Sequence, residues 1–399
     1  MNRTLNISVA YLNTFLFSCV QMILYVTIPF ISEVSGISIA HIAGSISIGS
    51  LCFAFTGPFW ASMSDKWGRK KVLGIGMLGL GTSFLLLSSI FALNPHLELT
   101  TKIALIYISR FSYGLLASAI VPVSQAWQLD LSPNAERIKI LTRNSMCLNL
   151  GRLCGPIIVL IKGVNFDHLI YVATFLIVTL AIVEILSTKE SNEFNEGKMG
   201  THKISVQFYK GLIKQSVLPI FLALIFTSFI GILHSTLGHH LKNVFNIRGE
   251  TATLFMAKIV FAISIIGFLS QYIGQKLPKS KWKWILNTGA TTLMIGAFLL
   301  NSADTFNKIW IAISILGVGL ALVPPVYLSL ISKKHSNENI YGKQVGLASV
   351  AHSLGYALGA GIMALCLKFH LISITFAIVL VSIFTLMITV KISLTKEVY

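Results

Sequence analysis

Charge is scarce in this chain. Only 11% of its 399 residues are Asp, Glu, Lys or Arg, and the 14 acids are outnumbered by 31 cations. A soluble chain carries about a quarter charged residues, so this one cannot cover a water-facing surface of its own size. Cysteine is scarce too. Cys19, Cys52, Cys147, Cys154 and Cys366 all fall within apolar runs and show no metal-ligand spacing, which makes them small buried apolar residues rather than disulfides or metal ligands. There is no GxxxxGK[ST] loop, so no built-in ATPase drives the chain, and neither zinc spacing nor a catalytic triad context is present. Gly74-x-Gly76-x2-Gly79 has the outline of a dinucleotide fingerprint but lies inside an apolar run with no strand before it. It reads as helix packing. No cofactor, no metal and no enzymatic activity is expected.

Long apolar runs dominate what remains. Hydrophobic residues make up 54% of the chain, and the mean hydropathy is +0.78. A spanning helix needs about 20 predominantly apolar residues. Such runs recur at 7–32, 38–62, 72–93, 102–129, 139–162, 168–187, 216–238, 251–275, 284–301, 308–331, 342–367 and 371–394. The expected fold is an all-α membrane protein with twelve transmembrane helices. The first run is too long for a signal-peptide core and lacks a small-residue cleavage site, so it stays as a helix. Trp60, Trp127, Trp282, Trp284 and Trp310 sit at predicted span ends, where an interfacial aromatic belt would place them.

The net charge of +17 would point to nucleic acid in a soluble chain. Its distribution points to topology. With the N-terminus in the cytoplasm, 22 of the 31 cations fall in cytoplasmic segments, six on the opposite face and three within spans. That bias sets orientation, with both termini cytoplasmic, in the cell or bacterial inner membrane. The expected partners are the lipid bilayer and small molecules, not nucleic acid.

The densest polar punctuation is Asp65-Lys66-Trp67-Gly68-Arg69-Lys70-Lys71, a tight hairpin between the second and third runs. The longest polar stretch, about 187–215, divides the runs six and six. Residues 1–187 are therefore expected to form one six-helix bundle, 188–215 a cytoplasmic linker and 216–399 a second bundle. The halves align at an offset near 204: Gly151-x3-Gly155 with Gly355-x3-Gly359, and Gly114 and Pro122 with Gly317 and Pro325. Gly267-x3-Gln271-x2-Gly274 stands where the first half has Ala61-x3-Asp65-x2-Gly68. Duplicated bundles that rock about a site at their interface are a transporter plan.

At these residues the chain resembles the major facilitator superfamily. Asp65, Lys66, Gly68, Arg69 and Lys70 resemble the family signature between its second and third helices, with Ala61 replacing its leading glycine. Arg110-Phe111-Ser112-Tyr113-Gly114 resembles the fourth-helix motif, with Tyr113 for the usual glutamine. Asp130-x2-Pro133-x2-Glu136-Arg137 resembles the loop that follows. Gly151-x3-Gly155-Pro156 resembles, incompletely, the fifth-helix motif of antiporters: Thr142 replaces its first glycine and Val159-Leu160 its trailing pair. The resemblance, to the twelve-span drug–proton antiporters in particular, implies two pseudo-symmetric six-helix bundles, a monomer, and proton-coupled transport. It also implies that Asp65, Gly68, Arg69, Asp130 and Arg137 form a latch that stabilises the outward-open state.

Charges within spans carry the chemistry. Arg110, Arg152 and Lys258 lie at membrane depth, where each costs roughly 2.5–3.5 kcal/mol on insertion scales unless a wet cavity or a partner receives it. His234 and His352 lie in the seventh and eleventh spans, and Tyr356 is one turn after His352 on the same face. No acid is placed as deep, since Asp65, Asp130 and Glu184 fall at cytoplasmic span ends and Glu33 at an outer one. A cavity of this sign favours carboxylates and phosphates. Arg110 is expected to face the first helix, where Gln21 and Tyr25 could bond it. Arg152 is expected in the cavity as an anion ligand, the alternative being a bond to Asn149 or Asn144. Lys258 could contact substrate or snorkel outward, and His234 or His352 could carry a proton. The expected function is proton-coupled export of a small organic anion, such as a polycarboxylate or a carboxylate siderophore. Multidrug efflux of amphipathic compounds, uptake by symport, and a non-transporting membrane sensor or assembly factor are the alternatives.

Overall fold

The computed structural model describes residues 2–131, 137–161, 165–187, 206–276, 279–332 and 338–394. It is helical throughout these segments, because a backbone in hydrocarbon must satisfy its own N–H and C=O groups within each span. In order the helices are α1 (Asn2–Ser35), α2 (Ile39–Trp67), α3 (Arg69–Ala92), α4 (Leu99–Leu116), α5 (Ile120–Asp130), α6 (Arg137–Val159) and α7 (Phe166–Ser187). The second half holds α8 (Val206–Val244), α9 (Gly249–Gln275), α10 (Trp282–Asn301), α11 (Phe306–Ser332), α12 (Glu338–Phe369) and α13 (Ile374–Leu394). Eleven stretches among the described residues are long and apolar enough to cross a membrane, α4 and α5 counting as one. The twelfth crossing is α6, made more polar by Asn144, Asn149 and Arg152.

The break between α4 and α5 is a 3-10 turn at Ala117–Ala119. Pro122 explains it: proline has no N–H to give and its ring crowds the carbonyl four residues back. Gly68 closes α2 and opens α3 at φ 95°, a left-handed backbone angle that glycine alone adopts at no steric cost. Within the 187–215 stretch, α8 already begins at Val206, and a bend at Ser216 (φ −120°, ψ 20°) separates this lead-in from the span proper.

Packing repeats between the halves. α1 lies along α6 as α8 lies along α12, α2 against α4 as α9 against α11, and α3 against α7 as α10 against α13. The aligned glycines are the reason. Gly151 faces the carbonyl of Phe15 and Gly155 that of Cys19, on α1; Gly355 faces the carbonyl of Leu224 and Gly359 that of Ser228, on α8. Gly76 and Gly79 meet Ile120 and Leu116, which is the packing role read from the Gly74–Gly79 stretch.

The tryptophans correct one expectation. Trp127 is fully buried, and Trp60 is 7% exposed and donates from Nε1 to the Leu115 carbonyl at 2.6 Å. Both belong to the bundle core, and Trp282 is buried as well. Proximity to a span end does not fix which way an indole points. Of the five, only Trp284 is more than half exposed.

Call the side of the molecule carrying the Asp65–Lys71 hairpin the hairpin face, and the opposite side the far face. Among the described residues, hydrogen bonds and an ion pair join the two halves toward the far face, and Tyr25 meets Tyr356 nearer mid-span. Ser47 Oγ donates to the Ala357 carbonyl (2.7 Å), and the Phe30 N–H donates to Thr253 Oγ1 (3.3 Å). Glu33 pairs with Lys242 and accepts the Gly249 N–H at 2.8 Å, an anion at the N-terminus of α9. Toward the hairpin face, Gly346 on α12 meets nothing within 4 Å. Among the described residues, the halves are thus held together at the far face. Glu33→Gln keeps the side chain's size and removes its charge. It is expected to loosen the far-face closure by about 1 kcal/mol, roughly fivefold in the open-to-closed ratio. Spin labels on Thr101 and Lys368 should report a longer-distance population, whereas an unchanged distribution would mean that the pair does not hold the seam.

Candidate functional site

The hairpin residues come together within the first half. Arg69 pairs with Asp65 (2.6 Å), places Nε 2.8 Å from Asp130 Oδ2, and donates to Ser64 Oγ at 2.5 Å. One guanidinium thus ties the ends of α2, α3 and α5. Asp65 and Asp130 are 59% and 49% exposed, so each pair alone contributes little to stability and the set acts by geometry. Arg137 opens α6, but its side chain and the preceding loop, 132–136, lie outside the described residues. Gly114 packs on the Gly49 carbonyl of α2.

Arg110 departs from expectation in its partners. It is 3% exposed and donates from Nη2 to Ser83 Oγ (2.6 Å) and Ser109 Oγ (3.2 Å). Its guanidinium carbon lies 5.3 Å from the Tyr113 ring centroid and 5.8 Å from that of Phe84. Ser83 on α3 takes the place expected of Gln21 and Tyr25. Gln21 is 5% exposed, and neither of its amide atoms has a partner. Tyr113, standing where the family usually has glutamine, supplies an aromatic face for the cation instead of an amide.

The second deep arginine faces the seam. Arg152 is exposed at mid-span, yet its electrostatic neighbours are Tyr25 of α1, His234 of α8, Tyr327 of α11, and His352 and Tyr356 of α12. An exposed cation ringed by side chains of both halves lines the space between them rather than lipid. Tyr25 stacks on His234 at 5.4 Å between centroids and meets Tyr356 at 5.6 Å, across the seam. Two Tyr–His pairs complete the ring, Tyr327 Oη to His352 Nε2 at 2.8 Å and Tyr356 Oη to His234 Nδ1 at 3.3 Å. The alternative bond from Arg152 to Asn144 is not made: Asn144 Oδ1 accepts from Thr14 and Gln128.

Lys258 is not part of this cluster. It shares a face of α9 with the exposed Leu254, Ile265 and Leu269, and its ammonium lies 5.6 Å from the Phe255 ring centroid. Pro156 is buried one residue beyond Gly155. Tyr327 is the site residue the sequence reading missed. Its only local mark is being a lone phenol in an apolar span, after Pro324-Pro325. A groove of about 890 Å³ also opens at the far face, lined by His41, Tyr107, His239, Lys368 and His370 among others. It lies on the other side of the closed seam from Arg152 and is a separate feature.

Twelve crossings in two matching halves, with a cationic, phenol-rich cluster at the seam, define a membrane transporter. The chain belongs to the Major Facilitator Superfamily, whose model matches residues 10–360. Among its relatives is Multidrug resistance protein 2 of Bacillus subtilis (strain 168), 26% identical over 340 residues, covering 82% of this chain and 80% of the relative. The class B tetracycline resistance protein of Escherichia coli is 23% identical, covering 80% and 78%. A crystal structure of a D-xylose–proton symporter superposes with a TM-score of 0.73 at 14% identity, covering 96% of each chain.

Proposed function

We propose that this transporter exports small amphipathic organic anions by alternating access, driven by the proton gradient across the cell or bacterial inner membrane. The observation that carries the reading is Arg152, a cation held open to the space between the halves without a carboxylate among its described neighbours. Its ring of phenols and imidazoles suits an aromatic or conjugated carboxylate. The charge binds the head, while Tyr25, Tyr327 and Tyr356 stack on the body and donate hydrogen bonds. The bias of cations toward the hairpin face supports a cytoplasmic placement of that face and of both termini. The structure then corresponds to the inward-open state, ready to load from the cytoplasm. Export is supported by the names of the two resistance proteins among the relatives and by Gly151, Gly155 and Pro156. In this cycle Asp65, Arg69 and Asp130 hold the hairpin ready to latch onto α12 when the hairpin face closes. The transporter works as a monomer whose halves, 1–187 and 216–399, rock as units.

The test is uptake into inverted vesicles energised by a pH step, comparing an aromatic carboxylate with its methyl ester. Faster uptake of the acid than of the ester, collapsing with the proton gradient, is the expected result. Equal uptake of both would favour the second reading, efflux of uncharged amphipathic compounds. That reading draws on the stacked Phe17, Phe53 and Tyr113 beside the seam. Acid uptake indifferent to the proton gradient would overturn the coupling.

A further inference from the structure

Proton coupling needs a group that gains and loses a proton, and the acids legible in the sequence all fall near span ends. The structure leaves one of them at its span end but encloses it fully within the bundle. Glu184, on the last turns of α7, is 0% exposed, and its Oε2 accepts the Asn13 Nδ2–H of α1 at 2.8 Å. The next residue of α1, Thr14, donates from Oγ1 to Asn144 Oδ1 of α6 at 3.0 Å, and Gln128 Nε2 of α5 donates to the same oxygen at 3.2 Å. Asn13, Thr14, Gln128 and Asn144 are all fully buried. One polar layer therefore crosses the first bundle from α7 through α1 and α6 to α5. It ends two residues before Asp130, the partner of Arg69. The layer is distinct from the Arg152 cluster.

Resting on the proton-coupled reading above, we propose that Glu184 is a proton-binding residue of the transport cycle, and that the Asn13 layer transmits its charge state to the hairpin latch. The Asn13 amide fits both states. Its Nδ2 donates to the carboxylate, while its Oδ1 is buried with no donor of its own. A protonated Glu184 has one O–H, and turning the Asn13 amide over presents Oδ1 to receive it. Charged acid with Nδ2–H, and neutral acid with Oδ1, are the two positions of one switch. The proton comes from water at the hairpin face, three residues beyond Glu184 at the end of α7, and returns to water when the carboxylate reforms. Of the groups facing Glu184, α1 supplies Asn13 and α3 supplies the Lys70 ammonium, within electrostatic range. α7 has no other ionisable residue from Thr179 to Ser187. Lys70 follows Arg69, so the charge on Glu184 acts on the hairpin along two routes, through α3 and through the polar layer.

Difference infrared spectroscopy of the full-length protein in nanodiscs, stepped in pH, reads the protonated carboxyl C=O band directly. The wild type is expected to show a buried-acid band that Glu184→Gln abolishes and Asn13→Ala shifts. In vesicles, Glu184→Gln is expected to lose at least tenfold of the pH-driven transport rate while keeping substrate exchange without a gradient, and its carboxylate affinity should stay unchanged. A full band in Glu184→Gln, or pH-driven transport at the wild-type rate, overturns the proposal. If Glu184→Gln fails to fold, Asn13→Ala decides alone, since a band identical to the wild type would refute the switch. Wild-type transport indifferent to pH, with the band present, would instead remove the coupled-export reading and leave Glu184 as a titrating group without that role.

Discussion

Replacing Arg152 with alanine is expected to weaken binding of an aromatic carboxylate by about 10- to 100-fold, because a hydrogen bond to a charged group contributes roughly 1.5–3 kcal/mol. The methyl ester of the same compound should bind the variant within about twofold of its wild-type affinity, since the phenol ring that holds the body is untouched. Isothermal titration on purified protein measures both. Arg152→Lys separates charge from shape. It keeps the cation but loses the planar fork that grips a carboxylate with two parallel bonds, so its affinity should fall between the wild type and alanine. The pattern matters more than any single value, because loss of acid and ester affinity together would mean that Arg152 supports the cavity wall rather than the ligand. Unchanged affinity for the acid would remove Arg152 from the site. Lys258→Ala makes a useful contrast. From its place on the apolar outer stripe of α9, it should leave acid binding unaltered, although the two cations look alike in the sequence.

That contrast marks the limit of what the sequence discloses. The span count, the hairpin and the aligned glycine pairs are local signals, set by hydropathy and by backbone approach, and they reappear in the helices and their packing. Rotation of each helix about its axis is not local. Arg152 and Lys258 both read as deep cations, and only the surrounding helices decide that one faces the seam and the other the outside. Trp127 and Trp284 both read as interfacial, yet one is core and one exposed. Glu184 reads as a span-end acid and stands at a span end, three residues from the end of α7, but nothing local in the sequence shows that it is buried. Its burial comes from α1, whose Asn13 is 171 positions away in the chain. Tyr327 gains meaning from a histidine on the next helix, and Glu33 from a lysine across the seam. In each case the partner lies on another helix and the pairing is fixed by tertiary packing, which no window along the chain contains.

The glycine pairs permit the sharpest test of the duplicated plan. Gly155→Leu and Gly359→Leu are expected to be strongly and similarly destabilising. An added Cβ at Gly155 would lie 2.7 Å from both the Cys19 carbonyl oxygen and Met22 Cβ, and one at Gly359 would press into the Ser228 carbonyl. Backbone cannot swing aside as a side chain does, so α1 must part from α6, or α8 from α12. Overpacking of this kind costs about 1–3 kcal/mol, and each kcal/mol moves the midpoint by ~2–4 °C for a domain the size of either half. Thermal unfolding in detergent should therefore drop by several degrees for each variant. Gly346→Ala is the control. It lies on the same helix as Gly359 with nothing within 4 Å, and alanine in a helix should be neutral or stabilising by about 0.5–1 kcal/mol. The comparison bears on mechanism because rocking requires each half to move as one body. Gly151, Gly155, Gly355 and Gly359 let α1 and α8, the helices that carry Tyr25 and His234 to the seam, lock onto the interiors of their own halves. A large loss at Gly155 with none at Gly359 would mean that only the first half is tied this way, and that the two sides of the site move by different rules.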